Sequence, residues 1–276
     1  MKRARLPLLL FAWLGGGAAG AVDSLLEAAD YRLIGEVELS GISDASGITY
    51  NPDRDSLFVV VDDETALFEY GREGVLRRRI ELHGFDDTED VAYLGRDEYA
   101  VIEERTGVLL KILIGENTRR VDRLSAVELK HLGSSEHNDG VEGLAYAADS
   151  GNLYIAHELH PRAVSVLNLT RDSFARVTPL WELPWYSFGP RDYSGIAYRQ
   201  EVGLLWVLSD VSATLTEYTA TGQQVGEIRL RDQNGRRIRD AEGIALDKNG
   251  RLYIVAEPNK LYIYKPKRPR FVRETR

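Results

Sequence analysis

The side chains in this sequence best suited to chemistry are carboxylates that recur at matching places. Glu89, Glu142 and Glu242 each open a short apolar segment (Glu-Asp-Val-Ala-Tyr, Glu-Gly-Leu-Ala-Tyr and Glu-Gly-Ile-Ala-Leu), and Ser46 and Ser194 open two more of the same form. Fifteen to seventeen residues after these openings stand Asp63, Glu104, Glu158, Asp210 and Glu257, one for each in chain order. If the fold gathers these positions on one rim, several carboxylates converge, and they must then be protonated, solvated or neutralised by a cation. A hard divalent ion answers that need: Ca2+ takes about six to eight oxygen ligands in flexible geometry. The expected ligands are Glu89, Glu142, Glu242, Glu104, Glu158 and Asp210, with Ca2+ as the expected ion. Other readings stay open. Asp44, Asp87, Asp192 and Asp240 stand two residues before four of the openings, and Asp139 three before Glu142. The first four are better suited to capping turns through backbone N–H groups. A channel without metal, in which arginines such as Arg105 balance the acids, is a further possibility.

Little else carries a catalytic signal. His137 and His157 fall near the same rim and are candidates for a general base, although a surface or hydrogen-bonding role explains each more simply. The chain has no HExxH, GxSxG, Walker or GxGxxG motif. It also has no cysteine, which removes disulfides, thiol catalysis and thiolate metal sites together. Trp181, Trp185 and Trp206 fall in or beside apolar segments and read as packing residues.

The elements that must position the acids form an internal repeat. The five openings are 43, 53, 52 and 48 residues apart. Each leads a strand, a polar turn such as Asn51-Pro52-Asp53-Arg54-Asp55 or Asp247-Lys248-Asn249-Gly250, and a second strand rich in β-branched and aromatic residues. A third strand follows every time: 66–70, 108–113, 163–169, 214–218 and 260–264. A fourth follows in the first four units, at 75–82, 120–129, 175–183 and 225–230. The fifth unit lacks one, but Gly35-Glu36-Val37-Glu38-Leu39 matches Gly226-Glu227-Ile228-Arg229-Leu230, so the segment 31–39 is expected to complete the last unit. Four-stranded units at this period close radially into a β-propeller. The fold class is therefore all-β, a propeller of five blades closed by the N-terminal strand, with a sixth blade hidden around Glu116–Asp139 as the alternative. The start of a blade's first strand and the end of its second lie on one face, which is what would bring the acids together.

The ends read differently from the body. Residues 1–21 have a basic start, an apolar run from Leu6 to Leu14 and the small-residue sequence Ala19-Gly20-Ala21, the layout of a secretory signal peptide. An uncleaved anchor is the competing reading, but the run is short against the ~20 apolar residues of a bilayer span. Residues 22–264 form the single propeller domain, and 265–276 a basic tail. The formal charge of −8 becomes −11 without Lys2, Arg3 and Arg5, and −16 once the tail's net +5 is set aside. Such an acidic body repels phosphate backbones and argues against nucleic acid as a partner. The tail offers peripheral contact with anionic lipid, each basic residue near the surface being worth about 1 kcal/mol.

As an ordered set, Asp44-Ala-Ser46-Gly-Ile-Thr-Tyr, Asp87-Thr-Glu89-Asp-Val, Ile102-Glu-Glu-Arg105, Glu142-Gly-Leu-Ala-Tyr, Asp192-Tyr-Ser194-Gly, Ala241-Glu242-Gly-Ile-Ala and Ile254-Val-Ala-Glu257-Pro-Asn259 resemble the SdiA-regulated (YjiK-like) proteins of Gram-negative bacteria. The resemblance covers about Tyr31 to Lys265. It implies an exported propeller, periplasmic or associated with the inner membrane, and brings no established reaction. Glu89-Asp90 departs from the Glu-Gly more usual there. The expected role is a Ca2+-bearing module that binds a small molecule or a protein at its channel face. The alternative is a Ca2+-dependent hydrolase of lactones or phosphoesters, which rests on fold-level analogy.

Overall fold

The computed structural model describes residues 31–61, 64–133, 140–159, 161–170, 176–183 and 189–267. The signal segment, Asp63, His137, Asp139, Trp185 and the tail beyond Lys267 lie outside them. Among the described residues twenty-one strands form five blades, antiparallel except for one short edge pairing, and the N-terminal strand β1 (Tyr31–Glu38) belongs to the last blade. Blade 1 comprises β2 (Ala45–Asn51), β3 (Ser56–Val61), β4 (Ala66–Gly71) and β5 (Leu76–His83). Blade 2 comprises β6 (Thr88–Gly95), β7 (Glu98–Glu103), β8 (Val108–Leu113) and, beyond a short β9 (Arg120–Asp122), β10 (Val127–His131). Blade 3 runs through β11 (Val141–Ala147), β12 (Asn152–His157), β13 (Arg162–Asn168) and β14 (Thr178–Leu183). Blade 4 has β15 (Gly195–Arg199), β16 (Leu204–Ser209), β17 (Thr214–Thr219) and β18 (Gln224–Arg229). Blade 5 has β19 (Ala241–Leu246), β20 (Leu252–Ala256) and β21 (Lys260–Pro266), with β1 as its outer strand.

Blades pack face to face, so their middle strands are buried on both sides and read as unbroken apolar runs. β3 (Ser-Leu-Phe-Val-Val-Val) and β16 (Leu-Leu-Trp-Val-Leu-Ser) are buried at every position. Alternate side chains then serve opposite neighbours. Phe58 and Val60 pack on blade 2 beside Tyr99, whereas Val59 packs on blade 5 beside Tyr253 and Val255. Likewise Leu205 and Val207 face blade 3, and Trp206 and Leu208 face blade 5. Trp206 is fully buried and donates its indole N–H to Glu217 Oε1 at 2.7 Å, a packing role as expected. The outer strands are wetter; β5 buries only Ile80 and Leu82.

The ring closes through β1, antiparallel to β21 from Tyr31 opposite Pro266 to Glu38 opposite Lys260. Asn259 fixes the join: its carbonyl accepts the Leu39 N–H at 2.7 Å and its side-chain amide donates to the Leu39 carbonyl at 3.2 Å. Among the described residues there is no sixth blade, and the single fourth strand expected over 120–129 divides in two. Arg120–Asp122 leaves blade 2 to pair in parallel with Glu81–His83 of blade 1, a 3-10 turn follows at Arg123–Ser125, and only Val127–His131 pairs with β8. Charge helps to draw it across, since Arg120 contacts Glu81 at 3.3 Å.

Five inner strands leave a narrow neck. A Cβ on Gly143 would lie 2.9 Å from the Ile196 nitrogen, and one on Gly195 2.9 Å from the Glu242 carbonyl, so only glycine lets consecutive inner strands approach this closely. Asp90 takes the corresponding place in blade 2 and fills the neck with its carboxylate. Its oxygens accept N–H groups from Leu144 (2.6 Å), Val91 (2.7 Å) and Ile48, tying blades 1, 2 and 3 together.

Candidate metal centre at the channel mouth

The lip acids owe their direction to a repeated irregularity in the inner strands. Register slips between Ala45 and Ile48, Thr88 and Val91, Val141 and Gly143, and Ala241 and Gly243. Each slip is a bulge, which leaves a residue out of the ladder and re-aims it. The residues so displaced include Ser46, Glu89, Glu142 and Glu242. In blade 4 the ladder begins two residues later in the repeat, at Gly195, and Ser194 donates its backbone N–H to Leu208 at 3.1 Å.

Behind the lip, three of the acids that follow a second strand reach over to the next blade. Glu104 Oε1 accepts the Gly140 N–H at 3.0 Å, Asp210 Oδ1 accepts the Asp240 N–H at 2.5 Å, and Glu257 shares a hydrogen bond with Asp44. The turns beneath are held in the same way: the Glu104 and Glu257 N–H groups donate to the Asp87 and Asp240 carbonyls at 2.9 and 2.8 Å. Asp87 and Asp240 have φ of +57° and +53°, the left-handed region that aspartate tolerates better than most residues.

The resulting field is strongly acidic. Glu142 is held well above the ordinary carboxylate range, first by burial and then by Glu89, Glu104, Glu158 and Glu242. Burial, followed by Asp210, Glu257, Asp192 and Glu158, pushes Glu242 up to about 8. Glu257, at the outer edge, is pushed up to about 7 by partial desolvation and then by Asp44. Glu104 and Asp210 are raised as well, chiefly by burial, with backbone donors acting against it. Glu89, Glu104, Glu142, Glu158, Glu242 and Asp210 thus act on one another around a single mouth. Glu158 links the two sides, since its charge is felt by both Glu142 and Glu242.

The tightest grouping contains a residue outside the expected ligand set. Asp87, Glu89 and Glu104 each offer an oxygen, and the three atoms lie within 4.8 Å of one another. Oxygen donors this close together could hold a metal ion, and hard divalent ions are the ones that take oxygen ligands. Asp87 also caps its turn, accepting the Arg105 N–H at 3.1 Å and facing the Arg105 guanidinium at 3.3 Å. Asp192 is a turn cap of the expected kind: it accepts the Asp210 and Val211 N–H groups at 3.1 and 3.3 Å together with the Ser209 hydroxyl. Burial lowers the pKa of His157, and the charge of Glu182, on the outermost strand of its blade, acts against that shift.

The other end of the channel is aromatic. Tyr50, Tyr93, Tyr146 and Tyr198, with Leu246 in the fifth place, end the inner strands and line a hollow of about 770 Å3. Tyr50 donates its hydroxyl to Asp55 at 2.7 Å, and Tyr93 donates to Asp53. The signal for this ring stood in the repeat itself, whose openings end in tyrosine four times out of five.

Comparison with known proteins agrees with this architecture. Myxococcus xanthus glutaminyl cyclase superimposes with a TM-score of 0.58 at 13% identity, covering 86% of this chain and 96% of that one. A luciferin-regenerating enzyme gives 0.52 at 11% identity, covering 84% and 95%. A chain of a nidogen/laminin complex gives 0.56 at 9% identity, covering 78% and 73%. At these identities the likeness is one of fold. The SdiA-regulated family profile matches residues 24–265, nearly the whole propeller, and this protein therefore belongs to the SdiA-regulated family.

Proposed function

We propose that the protein is an exported binding module whose channel mouth holds a divalent cation, Ca2+, and presents it to a small molecule or a protein. The observation that carries this reading is the grouping of Asp87, Glu89 and Glu104 beside a buried Glu142. Burial and the surrounding acids raise the pKa of Glu142 and Glu104, a cost that a bound cation relieves, and a hard ion with oxygen ligands suits the donors present. In this reading Asp87, Glu89 and Glu104 hold the ion, Glu142 and Glu158 complete or flank the ligand set, and Asp210 and Glu242 extend the negative field across the mouth. Binding is put before hydrolysis because the sequence carries none of the common nucleophile or metalloprotease motifs. Export rests on the basic, apolar and small-residue order of residues 1–21, and membrane contact on the basic tail.

The test is calorimetric titration of Ca2+ into metal-free protein, with a Glu89→Gln, Glu104→Gln variant alongside. One ion per chain in the wild type and a loss of at least tenfold in the variant support the reading, whereas heat from neither protein removes the metal. Fractionation of cells expressing the full chain tests export, and recovery in the cytoplasm at full length would overturn it.

A further inference from the structure

A second charged feature lies on the same face as the acids and has the opposite sign. A cleft of about 570 Å3 opens between the β16–β17 turn, the end of β18 and the loop that leads into blade 5. Arg191, Arg229, Arg231 and Arg237 line it. Arg237 also borders a smaller adjoining hollow with Asp210 and Asp240, so the cleft abuts the acidic mouth.

These arginines lack the close carboxylate partners that four others have. Arg54, Arg72, Arg78 and Arg123 each contact a carboxylate at 3.0 Å or less. Among the described residues, no carboxylate lies within 4.0 Å of the guanidinium groups of Arg191, Arg229, Arg231 or Arg237, although Glu227 shares the cleft wall. Four exposed arginines without a carboxylate partner line one hollow in a chain of net charge −8, a local concentration of positive charge that suits an anion.

The cleft is also built in advance. Leu230 and Ile238, both fully buried, anchor the two ends of the loop. Between them Arg231 and Arg237 form a β-bridge, and Asp232 Oδ1 accepts the Asn234 and Arg236 N–H groups at 2.8 Å each. Arg237 donates to the Val211 carbonyl at 3.0 Å and Arg231 to the Gly235 carbonyl at 2.7 Å, so two of the four side chains are already oriented. Orientation of this kind reduces the entropy lost on binding.

We infer that this cleft is a binding site for a small, multiply charged oxyanion, a phosphorylated or polycarboxylated molecule. The planar fork of guanidinium matches the oxygens of both groups, and the volume suits a small ligand. The site needs no metal at the mouth, so it stands or falls apart from the Ca2+ reading.

The experiment is titration of inorganic pyrophosphate, and separately of citrate, into metal-free full-length protein at low salt. The variants are Arg229→Gln/Arg231→Gln and the control Arg119→Gln, which alters an exposed arginine of blade 2. We expect one anion per chain, an affinity reduced about tenfold for each guanidinium removed, and no change in the control. Tighter pyrophosphate binding assigns the site to phosphoryl ligands, and tighter citrate binding to carboxylates. The wild-type affinity must also fall steeply with added NaCl, a readout that does not depend on the variants folding. No binding of either anion at millimolar concentration, binding unaffected by salt, or equal binding to a folded double variant overturns the inference.

Discussion

Raising the pH of the metal-free protein from 5 to 8 should destabilise it, and Ca2+ should cancel the effect. Glu242 is mostly buried and pushed up to about 8, against about 4.5 for a free glutamate. A carboxyl with a raised pKa binds more protons folded than unfolded, so its stabilising contribution is present below about 4.5 and is lost as the pH climbs through about 8. At about 1.4 kcal/mol per unit, Glu242 alone accounts for a loss on the order of 4 kcal/mol. In a chain of this size that lowers the melting temperature by on the order of 10 °C. Glu142, Glu104 and Asp210 are shifted in the same direction and add to the loss. Ca2+ competes with the same protons. If binding requires Glu242 to be ionised, the affinity should rise about fiftyfold from pH 6 to pH 8, with proton release visible as a buffer-dependent heat. The assay is thermal unfolding from pH 5 to 9 with and without Ca2+, paired with calorimetry in two buffers. A metal-free melting temperature that is flat or rising between pH 5 and 8 would refute the reasoning. A Ca2+ affinity independent of pH would remove Glu242 from the coupling.

Three substitutions probe the architecture around the mouth. Asp90→Asn replaces one of the acceptor oxygens that tie blades 1, 2 and 3 with an amide NH2 that faces backbone donors, and should lower stability by about 2–4 kcal/mol; a denaturant midpoint unchanged from wild type would show that the neck does not depend on this carboxylate. Glu104→Gln keeps an acceptor for the Gly140 N–H while removing a charge from the crowd. Metal-free stability should rise by about 1 kcal/mol while Ca2+ affinity falls at least tenfold, an opposition that simple structural damage cannot produce. Gly195→Ala sets a methyl 2.9 Å from the Glu242 carbonyl, and should cost about 1–3 kcal/mol through backbone displacement. A variant as stable as wild type would mean that the inner strands can separate freely.

The parts of this protein legible in the sequence are those governed by short-range periodicity. Five recurrences of one hairpin pattern give five blades, because each blade must bury both faces and so repeats the same apolar runs. The likeness of Gly35–Leu39 to Gly226–Leu230 gives the closure for the same reason, since a closing strand fills the same environment as any fourth strand. Hairpin geometry also puts the strand-start acids and the strand-end acids on one face, without reference to side-chain detail. Only the tertiary structure decides what depends on a local break in register or on residues from different blades. The bulges that free Glu89, Glu142 and Glu242 leave no mark in a period-2 pattern, and Asp87 joins Glu89 and Glu104 only through a left-handed turn. The transfer of Arg120–Asp122 to blade 1 is a three-residue pairing, too short to have a pattern of its own. Asp90, a departure from glycine in the sequence, becomes a link among three blades only because close-packed inner strands aim three N–H groups at one point. The arginines of the cleft come from separate segments, and their lack of carboxylate partners is a property of distances that spacing along the chain does not contain.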